Sequence, residues 1–269
     1  MALTQGLQSN LSRGVDRRTT LQAYFSKSVD NGGQLVCMFA NRCRSSAGSM
    51  DLAEGQLSHI GAHYELQDSG KSLRILVVPM QTGRPDQHVT IEQRAAQVEA
   101  SKPISARPMP RTQHMDGTAL ALKSLLGRGV DAPDDLMIGN RLAHVFDCFA
   151  MSNATLCSRL SGSAAGGGSR EMYEMCVVHL REVIRILEPT VIVAQGWSKS
   201  GQSPSQSVAR ALRIPTPSRG TCTAVDTAYG PVGFVSVIHP ARSWFRPTKA
   251  FFDEVHPALL EARALVLDD

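Results

Sequence analysis

The chain contains six cysteines, whose thiols could bind a metal ion or an iron–sulfur cluster. Cys37 and Cys43 are separated by five residues, and Cys157 and Cys176 by eighteen. Two distant pairs can converge on one metal or iron–sulfur cluster, because the fold can bring four thiolates together. Neither spacing is that of a zinc knuckle. Spacing alone therefore allows buried, inert cysteines equally well.

Two further polar sites follow stretches that are predicted to be strands. Ser152 and Asn153 come directly after the apolar stretch 143–151, and His239 comes directly after 233–238. Ligands of α/β proteins bind beyond the carboxyl ends of strands. The amide of Asn153 can present both a carbonyl and an NH2 group to a base edge. A lone asparagine is more often part of an Asx-turn, and a lone histidine is more often a core residue.

A basic and aromatic segment follows His239. Two aromatic rings between two guanidinium groups form a surface suited to stacking on nucleic-acid bases. Aromatic rings that pack under a helix are the alternative. The residues of this segment are Arg242, Ser243, Trp244, Phe245 and Arg246.

A short loop, 79–86, follows the first predicted strand. It contains one carboxylate, Asp86, and one amide side chain, Gln81. Both side chains are able to position a water molecule. An ordinary turn with a solvated aspartate is the alternative.

The elements that must position these residues alternate between strands and helices, which predicts an α/β fold with a parallel sheet covered on both faces. Cys148 and Cys222 fall within predicted strands and are expected in the core. Asp116 is predicted to cap a helix, and Ser169 another. The predicted strands are 73–78, 143–151, 190–195, 221–226 and 233–238, and the predicted helices are 91–100, 116–126, 170–187, 205–212 and 248–267. Residues 161–169 are predicted to be a flexible loop. Residues 1–30 are interpreted as an N-terminal extension and 31–269 as a single domain.

The composition excludes several classes of protein. The chain is 42% hydrophobic and 19% charged, which a disordered chain would not be. It contains neither an apolar run long enough for a membrane helix nor an N-terminal secretory signal. We therefore expect a cytoplasmic protein without a membrane partner. The basic residues are 22 Arg and 6 Lys, and arginine binds phosphate bidentately, but the net charge of only +4 makes this weak support for nucleic-acid binding.

The order of these pieces resembles that of the iron–sulfur uracil-DNA glycosylases. The stretch 152–157, followed by a loop, Cys176, a helix and the strand-like stretch 187–196, matches the pattern of that family. The pair His239-Pro240 is similar to the family's His-Pro-Ser motif. Cys37 and Cys43 stand where the first two cluster cysteines belong. The resemblance covers about residues 35–265.

The resemblance implies a three-layer α/β/α fold with a mainly parallel central sheet. It also implies that the enzyme flips a base out of DNA and hydrolyses its N-glycosidic bond. His239 would donate a hydrogen bond to the leaving base, and Asn153 would read the base edge. The segment from Arg242 to Arg246 would enter the DNA, with Trp244 or Phe245 as a wedge in the base stack. By this resemblance, Cys37, Cys43, Cys157 and Cys176 would hold an iron–sulfur cluster of the [4Fe–4S] type, and DNA would be the partner of a monomer.

Three features depart from the family pattern. The first cysteine pair has five intervening residues instead of two, Met80 replaces the usual glutamate of the water-activating loop, and Ala241 replaces the serine of the His-Pro-Ser motif. A thioether cannot activate water, so Asp86 with Gln81 is the candidate for positioning the nucleophile. The base is then uracil or a modified pyrimidine, including a modified cytosine of foreign DNA in a defence role. A catalytically inactive DNA-binding relative and a zinc-stabilised scaffold are the alternatives.

Overall fold

The computed structural model describes residues 6–80, 86–102, 111–161, 164–198 and 202–267, with backbone only for 161 and 164–166. The strands are β1 (Gln8–Ser9), β2 (Leu52–Ala53), β3 (His59–Ile60), β4 (Leu66–Asp68), β5 (Lys71–Leu73), β6 (Ile75–Pro79), β7 (Asp135–Ile138), β8 (Arg141–His144), β9 (Phe149–Met151), β10 (Ser158–Ser161), β11 (Ala164–Gly167), β12 (Val191–Gln195), β13 (Thr221–Thr227) and β14 (Gly230–Val237). The helices are α1 (Leu11–Ser28), α2 (Ala40–Ala47), α3 (Ile91–Glu99), α4 (Gln113–Leu125), α5 (Arg170–Leu187), α6 (Pro204–Leu212), α7 (Pro240–Ser243) and α8 (His256–Leu267). A 3₁₀ turn (Val145–Asp147) precedes β9, and a π-helical turn (Phe251–Val255) leads into α8. Within these ranges no helix is both long and apolar enough to cross a membrane.

A mixed sheet is the centre of the fold. In the described part of the chain it has six strands in the order β13-β14-β12-β6-β9-β3. The inner strands β14, β12, β6 and β9 are parallel to one another, and the outer strands β13 and β3 are antiparallel to their neighbours. Gln195 of β12 is in register with Val237 of β14 and Pro79 of β6, so these strands end at the same level. The prediction of a mainly parallel α/β sheet is confirmed.

Alternate residues of the inner strands belong to two different hydrophobic cores. In β6, Ile75 and Val77 pack in the core that contains α4 and α8, whereas Leu76 and Val78 pack in the core that contains α1, α5 and α6. Successive side chains of a strand point to opposite faces of its sheet. Both faces of the sheet are therefore covered by helices, which explains why these strands are almost continuously apolar.

Short polar side chains cap the first turns of several helices and so determine where these helices begin. Ser169 caps α5, and its Oγ accepts a hydrogen bond from the N–H of Met172 at 3.1 Å, as predicted. The predicted cap at Asp116 is wrong. Thr112 caps α4 instead, with its Oγ1 3.3 Å from the N–H of Met115, so Asp116 lies in the first turn of the helix.

Two other stretches differ from their predicted structure. The predicted strand 143–151 is interrupted by the 3₁₀ turn, because the backbone N–H of His144 donates to Asp147 at 3.0 Å and the N–H of Phe146 donates to the His144 ring at 3.0 Å. Cys148 is buried directly after this turn rather than inside a strand. The predicted flexible loop 161–169 contains β11, which pairs with β10, and β10 also pairs with β2. Backbone hydrogen bonds thus order most of a glycine-rich stretch.

The N-terminal helix is part of the folded domain, which corrects its interpretation as an extension. Leu21 and Phe25 of α1 are completely buried in the same core as α5. Arg17 is also buried, and its guanidinium pairs with the buried Glu65 and, at 2.6 Å, with Glu188. Apolar burial and a buried ion pair together dock α1 against the body of the protein.

The buried ion pair predicts a large effect of one arginine and a small effect of its neighbour. We expect Arg17→Ala to lower the free energy of unfolding by about 3 kcal/mol, because the buried Glu65 loses its closest partner and keeps only the more distant Arg74, at 3.9 Å, and Arg13. Arg13 lies 3.7 Å from the same two carboxylates, but its side chain is 55% exposed. Arg13→Ala should therefore cost less than about 1 kcal/mol. Urea unfolding of both variants measures the difference, and equal losses would contradict the proposed role of Arg17.

Candidate functional site

A large pocket opens where the parallel strands end. Its volume is about 490 Å³, within the usual range of ligand sites. Pro79 lies at the end of β6, Asn153 two residues beyond β9, and His239 two residues beyond β14, and all three line the pocket. The structure thus brings together the asparagine and the histidine that the sequence singled out. Parallel strands place these distant residues at one edge of the sheet.

The backbone holds the segment with Asn153 against the end of β6. The N–H of Ser152 donates to the carbonyl of Val77 at 3.1 Å, and the N–H of Ala154 donates to the carbonyl of Pro79 at 2.8 Å. Asn153 itself is only 7% exposed. Its amide is therefore presented to the pocket from a short, fixed connection rather than from a free loop.

The ring of His239 has a defined hydrogen-bonding pattern. His239 caps the short helix α7, and its Nδ1 accepts a hydrogen bond from the N–H of Ala241 at 3.3 Å. Burial, together with the nearby Arg242, lowers the pKa of His239. In a neutral ring whose Nδ1 accepts, Nε2 carries the proton. Nε2 is thus the nitrogen of His239 that can donate a hydrogen bond to a ligand.

Helices α3 and α4 supply pocket residues that were not predicted from the sequence. His114, in the first turn of α4, stacks on His239 with ring centroids 5.1 Å apart. Burial lowers the pKa of His114 to about 3, so this ring stays uncharged at neutral pH. Arg94, Gln97 and Ser101 line the wall formed by α3. Their spacing of three and four residues, typical of one helix face, is the sequence signal that could have identified them.

The two residues that were predicted to position a water molecule have a less direct relation to the pocket than Asn153 and His239. Gln81 lies outside the described residues. Asp86 is exposed and is not among the residues that line the pocket. Its carboxylate accepts a hydrogen bond at 3.0 Å from the side chain of Gln97, which does line the pocket. In the described part of the chain, the carboxylate of Asp86 is therefore connected to the pocket through Gln97.

The segment after His239 separates into a buried and an exposed part. Trp244 is completely buried, stacks near Phe251, and donates its indole N–H to the carbonyl of Ile238 at 2.8 Å. This burial corrects the expectation that Trp244 is a DNA wedge. A side chain at Gly117 would collide with Pro240, so the glycine allows α4 to approach and cover the tryptophan.

Phe245 is the aromatic residue of this segment that remains accessible. Its ring is half-buried, and the guanidinium of Arg246 lies 5.3 Å from the ring centroid. Arg242 and Arg246 are exposed, and Arg242 also lines the pocket. Ser243 is half-buried and its carbonyl accepts a hydrogen bond from Thr248 at 2.7 Å. The predicted basic surface is present, with Phe245 as its aromatic member.

The two aromatic residues should respond differently to truncation. We expect Trp244→Ala to lower the free energy of unfolding by about 3–5 kcal/mol, because it empties a core position. Phe245→Ala, at a half-buried position, should leave the melting temperature much closer to that of the unchanged protein. Thermal unfolding followed by circular dichroism compares them. A Trp244→Ala variant with an unchanged melting temperature would place the indole outside the core.

A second pocket is lined by four thiols. Cys37 precedes α2, Cys43 lies within it, Cys157 follows the segment that carries Asn153, and Cys176 lies in α5. All four line this one cavity, and Cys43, Cys157 and Cys176 are buried. These are the four cysteines that the sequence paired. Cys148 and Cys222 are not among its lining residues.

The thiols of this pocket affect one another electrostatically. Burial, together with the neighbouring Cys37, raises the pKa of Cys43 to about 11. Burial raises the pKa of Cys157 to about 12, with added contributions from Cys43 and Cys37. A set of thiolates that disfavour each other's charge in a buried site is suited to a cationic metal centre, which would stabilise all of them. Within the described ranges, no three His, Cys, Asp or Glu side chains are close enough to hold a single metal ion.

No protein-family model matches the chain, and no curated protein matches it. The chemistry of the site therefore follows from its own residues. One pocket combines an amide, an imidazole donor and a polar helical wall, with exposed arginines at its side. The other pocket gathers four cysteine thiols.

Proposed function

We propose that this protein is a DNA glycosylase, which flips a base out of DNA, hydrolyses its N-glycosidic bond and leaves an abasic site. The observation that carries the proposal is the convergence of Asn153 and His239 in one pocket at the carboxyl edge of the sheet. The resemblance to iron–sulfur uracil-DNA glycosylases assigns these two residues to base recognition and to leaving-group stabilisation. Their meeting in a pocket was not implied by their separation in sequence.

His239 supports the departure of the base. Negative charge develops on a carbonyl oxygen of the base as the glycosidic bond breaks, and a fixed hydrogen-bond donor stabilises that charge. Nε2–H of His239 is such a donor, because its Nδ1 is occupied by the N–H of Ala241. The ring is held by this bond and by stacking on His114. Little reorientation is then needed when the bond breaks.

Asn153 reads the edge of the flipped base. Its amide offers a carbonyl to accept from the base and an NH2 group to donate to it. One orientation of the amide complements the N3–H and O4 of uracil, and the reversed orientation complements a cytosine. Asn153 thus selects pyrimidines without deciding between the two.

The nucleophile is a water molecule held by polar side chains rather than activated by a strong base. Met80 lines the pocket where the family has a glutamate, and a thioether cannot accept a proton from water. Gln97 lines the pocket, and the carboxylate of Asp86 holds its amide. A sugar with oxocarbenium character reacts with a weakly activated water, so orientation by Gln97 is sufficient for the step.

The lining of the pocket suits a modified pyrimidine as well as uracil. The α3 wall adds the polar side chains Arg94, Gln97 and Ser101, which suit a polar substituent on the base. A modified cytosine of foreign DNA has these properties and would give the enzyme a role in defence.

The fold and the surface support the same proposal. Helices on both faces of a parallel sheet agree with the three-layer α/β/α arrangement of the uracil-DNA glycosylase superfamily. The exposed Arg242 and Arg246 are placed to contact phosphates beside the pocket, and Phe245 is available to occupy the space that a flipped base leaves. DNA is therefore the proposed partner of a monomeric enzyme.

We also propose that Cys37, Cys43, Cys157 and Cys176 hold a [4Fe–4S] cluster. The four cysteines line one small pocket, and Cys43, Cys157 and Cys176 are buried, which supports a group bound by thiolates. The cluster would cross-link α2, α5, the segment before α2 that contains Cys37, and the segment after β9 that contains Cys157.

Excision of bases from a panel of duplexes tests the glycosylase. The panel contains uracil, cytosine, and hydroxymethylated and glucosylated cytosine, and single-turnover rates are measured. We expect excision of at least one of these bases, and a loss of about 10²–10³ in rate for His239→Ala, because one preorganised donor is removed. Asn153→Ala should lose activity as well. The control is Asn41→Ala, an exposed asparagine of α2 outside the pocket.

The outcomes separate the candidate functions. Binding of duplex DNA without excision of any base would favour the inactive DNA-binding relative, for which the replacements at Met80 and Ala241 are the motivation. Equal rates for His239→Ala and Asn41→Ala would exclude His239 from the reaction.

Iron content tests the cluster separately from excision. We expect about four iron atoms per chain in the purified protein, and a large loss of iron in Cys157→Ala. Cys148→Ala is the matched control, since Cys148 is buried but lies outside the thiol pocket. Equal iron content in the two variants would contradict the assignment of Cys157, and zinc in place of iron would favour the scaffold alternative.

A further inference from the structure

A chain of hydrogen bonds reaches the thiol pocket from the N-terminal helix. The hydroxyl of Tyr24, in α1, lies 2.8 Å from Nδ1 of His179, in α5. Nε2 of the same ring lies 3.3 Å from Sγ of Cys37. His179 is 3% exposed and lines the thiol pocket. Excision at the other pocket makes no use of this buried imidazole.

The direction of both hydrogen bonds follows from the chemistry of the sulfur. A cysteine that binds iron is a thiolate, which has no proton and can only accept a hydrogen bond. Nε2 of His179 must then carry the proton, or two lone pairs would face each other at 3.3 Å. In a neutral ring Nδ1 is consequently the acceptor, and the hydroxyl of Tyr24 is its donor. Tyr24 therefore sets the tautomer that Cys37 requires.

The ring of His179 is also held in place by packing. Phe39 contacts it edge-on, with ring centroids 6.4 Å apart. His179 comes three residues after Cys176 in α5, and this spacing places both side chains on one face of the helix. An imidazole with both nitrogens assigned and its face covered has little freedom to leave the sulfur.

Cys37 is the thiol for which such a partner has the largest consequence. It is half-buried, whereas Cys43, Cys157 and Cys176 are buried. It also lies in the segment between α1 and α2 rather than within an element. A ligand that is both more exposed and less constrained by its backbone is the position at which a cluster is most easily opened.

We propose that His179, oriented by Tyr24, is a positioning residue that donates a hydrogen bond to the Cys37 thiolate and thereby raises the reduction potential of the cluster and slows its loss. This inference rests on the proposed cluster and not on the proposed excision of a base. Hydrogen bonds to cluster sulfurs are among the factors that set the potential, because they withdraw electron density and favour the reduced state. Groups that orient a ligand typically change metal affinity by about 10–100-fold when they are removed.

The test compares four variants in the purified, iron-loaded protein. His179→Leu removes the donor, His179→Gln restores an N–H on a side chain of similar reach, and Tyr24→Phe removes only the hydroxyl that sets the tautomer. Met175→Leu is the control, because Met175 lines the same pocket with an apolar side chain. Iron content is measured first. Protein-film voltammetry then gives the reduction potential, and the fading of the visible absorbance in air gives the rate of cluster loss.

We expect His179→Leu to lower the potential and to lose its cluster about 10–100-fold faster than the unchanged protein. Tyr24→Phe should shift the potential in the same direction by a smaller amount, and His179→Gln should recover part of the shift. Met175→Leu should leave the potential unchanged. The Tyr24 and Gln variants keep the test decisive even if His179→Leu does not fold.

Three results would overturn the inference. A potential that is the same in fully loaded His179→Leu, Tyr24→Phe and unchanged protein would show that the imidazole does not act on the sulfur. Strong nitrogen hyperfine coupling in the reduced cluster would show that His179 is an iron ligand rather than a donor to Cys37. Absence of iron from the unchanged protein would reject the cluster itself, and that result is independent of whether a base is excised.

Discussion

The parallel alignment of β6, β9, β12 and β14 is the constraint on which the rest of the structure depends. Parallel strands in register end at the same level, so the residues that follow them meet at one edge even when they are far apart in sequence. Asn153 and His239 reach a common pocket in this way. The strands are buried on both faces, and the pocket is thus built at the edge of the hydrophobic core.

The short segment after β9 links the two pockets. It carries Asn153 near its start and Cys157 at its end, and its backbone is bonded at Ala154 to the carbonyl of Pro79 and at Leu156 to the N–H of Gln56. A group that fixes Cys157 would therefore also restrict the amide that we assign to base recognition. Through this connection the proposed cluster would affect the pocket proposed for excision without lying near the reacting atoms.

The N-terminal helix α1 likewise contributes to two parts of the structure. Its apolar face and the buried Arg17 dock it on the body of the protein, and Tyr24 on the same helix orients the imidazole that faces Cys37. Docking of α1 fixes both the position of Tyr24 and the start of the segment that contains Cys37. Helix α1 thus contributes both to the stability of the fold and to the environment of the thiol pocket.

The sequence by itself determined the inner strands β6, β12 and β14, the capped helix α5 and the identity of the four thiols, because these depend on runs of apolar residues, short polar caps and residue type. Only the tertiary structure decided that Trp244 is a core residue and that α1 belongs to the domain. It also decided that His114 stacks on His239 and that the carboxylate of Asp86 bonds to Gln97 instead of lining the pocket. Local patterns report what neighbours along the chain prefer, whereas the burial of a side chain is set by elements that arrive from elsewhere. At Trp244, a basic and aromatic sequence is typical of a surface, yet the close approach of α4 at Gly117 covers the indole and leaves Phe245 outside.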